Sequence, residues 1–395
     1  MRVLTRYVLA ELAKIFLLAL SVMTIFMIVV GVVAEASRQG LGPAQIARLL
    51  PYILPNALLF TIPGTILFAV SSVYGRMSSS NEIVAIKSAG ISPMVVLWPA
   101  LFFAVLLSLL TVWLNDVAVS WGTEGMQRVV IEAVEEIAYS KLKTQRSYGT
   151  KDFLIHVKDV QGRRLVKPTV VFEPKDDKPG FTIMAEWAEM SSDFERQELK
   201  IALHDFTVHG DSSFNLVEPG TQEIAIPLAK ASRADQRPMM PARMSLRVLP
   251  GRQREHEARL DAYRDQLAFH GAVALATGNF ADLASDEWTK RNLKLGWDTN
   301  DLHRFETEPQ RRWANGFSCL AFVLVGAATS IKRRNSDFLT SFFMVFAPTL
   351  AIYYPLLMFG LDGAKNGTLP PWSVWSGNVF MGLWGLKQIG WVLRY

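Results

Sequence analysis

Six stretches of the chain run without a charged residue for about the 20 positions a helix needs to cross a bilayer core. They are Ile15–Ala34, Tyr52–Gly75, Ile91–Leu114, Trp313–Ile331, Phe338–Leu361 and Asn366–Leu386. Three precede residue 115 and three follow residue 312. The pattern predicts six transmembrane helices in two sets of three, separated by a long polar segment. The first stretch follows Arg2, Arg6 and Lys14 and has no small-residue cleavage site after it, so it reads as a retained anchor.

The middle changes period twice. Residues 119–138 read as an amphipathic helix, with Met126, Val130, Ala133, Val134 and Ile137 at helical spacing and Glu132, Glu135 and Glu136 on a solvated face. From about 150 to 230, "FLIHV", "TVVFE", "FTIMAEWAEM", "ELKIALHDFTVH", "SFNLV" and "EIAIPLA" read as strands separated by the turn signals "QGR", "DDKPG" and "EPG". In the fourth, Leu199, Ile201 and Leu203 alternate and then the phase slips to Phe206 and Val208. That slip predicts a bulge near His204–Asp205. Short antiparallel strands with one apolar face predict a small β-sandwich or jellyroll-like domain. Residues 250–305 return to a charged helical pattern, and "SDEW" at Ser285 opens a helix with a cap and an acidic first turn. The predicted organisation is helices 1–3 in 1–114, a helical extension at 115–149, the β domain at 150–235, a helical insertion at 236–312 and helices 4–6 in 313–395.

Composition and charge sharpen this picture. Of 395 residues 50% are hydrophobic and 19% charged, too apolar for an ordinary soluble domain and too charged for a bare membrane bundle. All but five of the 36 acidic residues (Glu11, Glu35, Glu82, Asp337 and Asp362) lie within 115–312. The net charge of +5 therefore belongs to the membrane flanks and does not point to nucleic acid. With a cytoplasmic N-terminus, the cytoplasmic segments hold Arg2, Arg6, Arg76, Lys87, Lys332, Arg333, Arg334, Lys387 and Arg394. The short outside loops hold only Arg38, Arg48 and Lys365. By the positive-inside rule both termini are cytoplasmic and the middle domain lies outside the inner membrane.

Most catalytic chemistry is missing. There is no GxxxxGK[ST] loop, no GxSxG elbow, and "HEARL" is not HExxH. "GLG" at 40–42 lacks a third glycine and a preceding strand. His204 and His209 lack the cysteines or carboxylates that would complete a metal site. The lone Cys319, in an apolar run, excludes an intrachain disulfide framework. Spans almost free of ionisable groups argue against a proton or ion relay. A chain with spans, an outside domain and no energy site needs an external motor.

The stretch "SSSNEIVAIKSAG", 78–90, falls on the cytoplasmic side between the second and third spans. Ser79-x-x-Glu82 has the form of a capping box and Gly90 that of a helix stop, which predicts a helix over 79–89 with Ile83 and Ile86 on one side. It could lie on the membrane surface, or it could be a knob pushed into a cytoplasmic subunit. A surface helix favours Lys and Arg toward anionic headgroups. This one offers a single Lys87 and puts Glu82 forward.

"YGRMSSSNEIVAIKSAGIS" resembles the coupling region of the LptF/LptG (YjgP/YjgQ) permeases of the lipopolysaccharide export ABC transporter. "RYVLAELAKIFLLAL", "WLNDVAV" at 113–119, "EPQRRWANGFSCL" at 308–320 and "GTLPPWSVWSGN" at 367–378 are similar to further family segments, in the same order. The resemblance implies a permease that pairs with a second one around a lipopolysaccharide cavity. It implies an LptB-like cytoplasmic ABC ATPase dimer, an LptC-like single-span protein and an LptA-like periplasmic bridge as partners. ATP and magnesium would sit on the ATPase, with no cofactor in this chain. The family's ATPase contact carries over to Glu82, flanked by Ile83, Ile86 and Gly90. Its lipid-phosphate role carries over by position to Arg38, while Arg48 at the same outer rim suits phosphate on chemical grounds; interfacial snorkelling is the alternative for Arg38. Glu308 and Arg312, at i, i+4, read as a structural helix pair. Gly316 and Gly377 stand where the family carries prolines. The competing reading is a non-transporting membrane-anchored scaffold whose outside domain binds a protein.

Overall fold

A computed structural model describes residues 2–39, 43–149, 153–172, 181–193, 198–210, 215–227, 240–332 and 338–394. The chain is mostly helical and divides into two compact units. One comprises Met1–Val29, Tyr52–Gly122 and Met240–Tyr395, the other Val30–Pro51 and Thr123–Met239.

The apolar runs before residue 118 become three helices longer than a bilayer requires, with a short helix between the second and third. They are α1 (Arg2–Gln39), α2 (Pro43–Ser79), α3 (Glu82–Ser88) and α4 (Met94–Val117), the last followed by a π-helical turn at Ala118–Thr123. Helix α5 (Glu124–Gln145) opens the second unit. After the strands the chain forms α6 (Leu249–Ala276), α7 (Phe280–Leu283) and α8 (Asp286–Lys332). It then forms α9 (Phe338–Pro348), a π-helical turn at Thr349–Tyr353, α10 (Tyr354–Lys365) and α11 (Ser376–Arg394). Ser285 caps α8 as the sequence predicts, its hydroxyl accepting the Trp288 N–H at 3.1 Å. The 47 residues of α8 make one rod about 70 Å long.

Among the described residues, five segments are long and apolar enough to cross a membrane: Val3–Val32, Ile46–Ser79, Met94–Gly122, Asp286–Lys332 and Phe342–Lys365. The 19-residue α11, interrupted by Lys387, is not among them. The sixth predicted stretch, Asn366–Leu386, is also not helical throughout. Pro370 and Pro371 remove backbone donors and stop a helix there, so the helix begins only at Ser376.

Glycines let these helices approach closely. A Cβ on Gly316 of α8 would lie 2.4 Å from Val112 Cγ2 and 2.9 Å from the Ser108 carbonyl of α4. A Cβ on Gly385 of α11 would lie 2.7 Å from Leu324 Cβ of α8. Small residues at such contacts give membrane helices their van der Waals attraction. Helix α8 passes through Gly316 without a break, and Gly377 sits in the first turn of α11 against Tyr353.

The second unit is built on an antiparallel sheet that curls around a core. Its described strands are β1 (Ser147–Gly149), β2 (Phe153–His156), β3 (Asp159–Gln161), β4 (Arg164–Val166), β5 (Thr169–Phe172), β6 (Phe181–Asp193), β7 (Glu198–Gly210) and β8 (Asn215–Pro227). One edge of β6 forks: Phe181–Met184 pair with β5, and Trp187–Glu189 pair with β4. The other edge pairs with β7, which pairs with β8. The predicted bulge is present, with the register shifting between His204 and Phe206 and Asp205 at φ 50°. Opposite it, Pro219–Gly220 does not end a strand. The predicted "EPG" turn is absorbed as an irregularity in the single strand β8, with Gly220 at φ 142°. The "DDKPG" signal lies outside the described residues.

The phase expected for α5 needs correction. Val129, Ala138 and Leu142 are buried, and Glu135 is buried with them and ion-paired to Arg163, so it does not belong to a solvated face. Ala138 and Leu142 join Ile155, Leu165, Val170, Ile183, Leu203 and Phe206 in the sheet core.

Candidate functional site

The polar island at 78–90 folds into a shorter helix than its pattern suggests. Helix α2 continues through it to Ser79, whose hydroxyl bonds back to the Arg76 carbonyl at 2.9 Å. No capping box forms. Asn81 takes a left-handed conformation at φ 59° and starts α3 at Glu82 without a side-chain cap. Asparagine tolerates that conformation better than most residues, and it lets the chain turn tightly between two helices.

The other end follows the sequence. Gly90 sits at φ 73°, its N–H bonds to the Lys87 carbonyl at 2.9 Å, and the Ile91 N–H bonds to the Ile86 carbonyl at 3.1 Å. This pair of bonds is a Schellman stop, which requires the left-handed glycine. The helix is thereby a fixed block of seven residues.

Ile83 is buried in the main helical core and Ile86 packs against the same cluster. Glu82 leads the first turn and is half-buried. Lys87, four residues after Ile83 and so on the same face, donates to the Val392 carbonyl of α11 at 2.7 Å. Neighbouring ties hold this end of the bundle: Arg76–Glu11 at 3.1 Å, Tyr74 Oη to the Val96 carbonyl at 2.7 Å, and Ser78 Oγ to the Ile331 carbonyl at 3.0 Å. Lys332 lies 4.8 Å over the Trp391 ring.

A second polar cluster joins α4 and α8 far from α3 along the chain. Arg312 is fully buried. Its guanidinium donates to Glu308 Oε1 at 2.9 Å, Asp116 Oδ1 at 3.3 Å and the Met244 carbonyl at 2.6 Å. Arg311 clasps Glu308 through two bonds of 2.9 and 2.6 Å, and the Leu246 N–H donates to Asp116 Oδ1 at 2.7 Å. The i, i+4 pair legible in the sequence is thus the centre of a network that also ties down the segment returning at Met240. Asp116 and the Met244 and Pro241 carbonyls, the latter accepting from Arg312 at 3.5 Å, carry no sequence signal for this role.

Of the two basic residues singled out for lipid, Arg48 is exposed on α2. Arg38 is in the last turn of α1, and its side chain lies outside the described residues. His204 stacks on Trp187, with ring centroids 3.5 Å apart, and shares a 2.7 Å hydrogen bond with Thr221. Among the described residues no group of His, Cys, Asp or Glu has the geometry to hold a metal.

Comparison with curated proteins finds no match. The profile described as lipopolysaccharide export system permease LptF/LptG matches residues 6–394, which takes in the spans, the α3 block, the β domain and the Arg312 network. The chain is a member of the LptF/LptG family of lipopolysaccharide export permeases.

Proposed function

We propose that this chain is one permease subunit of an ABC transporter. It extracts lipopolysaccharide, or a related amphiphilic lipid, from the inner membrane and passes it to a periplasmic bridge. The observation that carries the reading is α3: a rigid block, rooted in the core by Ile83, with Glu82 leading its first turn. A cytoplasmic ABC ATPase dimer engages this block, and the ATP and magnesium belong to that dimer.

Six spans, α11 included, put both termini in the cytoplasm and the middle of the chain in the periplasm. The domains follow as membrane halves at 1–114 and 313–395, with a helical extension, a jellyroll-like β domain and a helical insertion between them. The least buried spans are the first and fifth, with 17% and 22% of their windows inside the fold against 78% for the fourth. Their open apolar faces favour a second permease and the acyl chains of the cargo as neighbours. Arg38 and Arg48 meet lipid phosphates at the outer rim. An LptC-like single-span protein and an LptA-like bridge receive the lipid from the β domain.

The test is capture of the tagged protein from native membranes, scored for an ABC ATPase, beside Glu82→Lys. Capture with wild type and loss with a folded variant supports the reading. A stable wild type that captures no ATPase favours the scaffold.

A further inference from the structure

We infer that Lys87 is a positioning residue that latches the ATPase-facing helix α3 to the end of α11, so that a push on α3 is delivered to the α8–α11 pair. The inference rests on the function proposed above.

Three observations carry it. First, Lys87 turns inward. It shares the face of Ile83, and its ammonium reaches the Val392 carbonyl at 2.7 Å. The last four carbonyls of a helix lack partners in the helix and carry its negative end, so an ammonium there is favourable on both counts. The Schellman stop at Gly90 fixes the end of α3 only three residues away, so little slack separates a movement of α3 from a movement of the ammonium.

Second, α11 and α8 are locked along their length. Gly385 admits Leu324 and Val325 closer than any side chain would allow. Thr329 donates to Gln388 at 2.9 Å, Asn378 donates to the Ala314 carbonyl at 2.7 Å, and Lys332 lies over Trp391. Ser78 adds a second tie, from α2 to the last turn of α8. Third, α8 is unbroken from Lys332 back to the Arg312 network, which grips Asp116 of α4 and the Met244 carbonyl. A displacement at Val392 is therefore carried by packed, rigid elements to the point where the chain returns at Met240.

The experiment uses the full chain with Lys87→Met, which keeps length and packing but removes the charge, and Lys87→Arg, which can still donate. Spin labels at Ala85→Cys and Leu393→Cys report the α3–α11 separation in the purified chain without any ATPase. A charge-assisted hydrogen bond supports at least about a tenfold preference for the closed latch. The wild-type chain and Lys87→Arg should give one narrow separation, and Lys87→Met a broadened, longer one. In proteoliposomes of the complete complex, Lys87→Met should capture the ATPase and hydrolyse ATP as wild type does. It should release about half as much lipopolysaccharide per ATP or less, with Lys87→Arg restoring the ratio. Identical separations in wild type and Lys87→Met overturn the latch. So does loss of ATPase capture by Lys87→Met, which would make Lys87 a contact of the motor. If wild type captures no ATPase, the proposed function fails, while the spin-label separation still decides the latch.

Discussion

The Arg312 network makes an asymmetric prediction. Glu308→Gln removes the closest carboxylate from a guanidinium with no exposure to solvent, leaving it Asp116 at 3.3 Å and two backbone carbonyls. Breaking a buried pair so that one charge stays behind costs up to about 3–5 kcal/mol, and the longer, partly exposed pair with Asp116 offsets only part of that. Arg312→Met removes the cation instead. Glu308 then keeps both bonds from Arg311, and Asp116 keeps the Leu246 N–H. The principal orphan is the Met244 carbonyl, worth about 1–3 kcal/mol. The double variant Glu308→Gln/Arg312→Met leaves no buried cation at this position and should recover most of the difference. Thermal unfolding of the detergent-purified chain orders the four proteins. Wild type should be highest, then Arg312→Met and the double variant close together, with Glu308→Gln several degrees below them. A Glu308→Gln midpoint equal to or above that of Arg312→Met would show that the buried cation does not depend on the Glu308 carboxylate.

Three further outcomes follow from the same geometry. Gly316→Val would drive a side chain into Val112 and the Ser108 carbonyl, at a cost of about 1–3 kcal/mol, and should lower the thermal midpoint and the yield of monodisperse protein; an unchanged midpoint would show that α4 and α8 are not in contact there. Gly90→Val forces a branched residue to φ 73° in open space, so hydrogen exchange should rise across 82–91 at a local cost of about 1–2 kcal/mol while the rest of the fold is unaffected; unchanged exchange would refute the glycine stop. Tyr139→Phe removes the acceptor of the Met190 N–H and a donor to the Arg163 carbonyl, at a cost of about 1–3 kcal/mol to the β domain, read as a lower unfolding midpoint. Burial raises the Tyr139 hydroxyl above its ordinary value of 10.0, so the stabilisation should be complete below that pH and fade only as pH climbs through the raised value; loss of the wild-type advantage at neutral pH would contradict this.

The parts of the fold that could be read in the sequence are those governed by strong local physics. Charge-free runs mark spans because hydrocarbon excludes charge. The bulge at His204–Asp205 showed as a phase slip because side chains alternate on a strand. Gly90 and Ser285 were readable because a left-handed stop and an N-cap depend on one residue each. The misreadings are places where tertiary contacts override the local pattern. Ser79 has the form of a cap, but α2 runs on to Ser79 and Ser78 is tied to the Ile331 carbonyl. Glu135 looked solvated because its partner, Arg163, lies on a distant turn. The short strands β1, β3 and β4, three residues each, are too brief to show a period. At the candidate site, Glu82, Ile83, Ile86 and Gly90 stood out together. The acceptor for Lys87 did not, because a backbone carbonyl 305 residues away leaves no mark in a sequence.

The most direct measurement is ATP-dependent release of lipopolysaccharide from proteoliposomes that hold this chain with the ATPase and second permease proposed for it, wild type beside Glu82→Lys. Release should require ATP with the wild-type chain and be lost with the folded variant. Release that continues unchanged in Glu82→Lys, or that never occurs although the ATPase hydrolyses ATP, would contradict the proposed function.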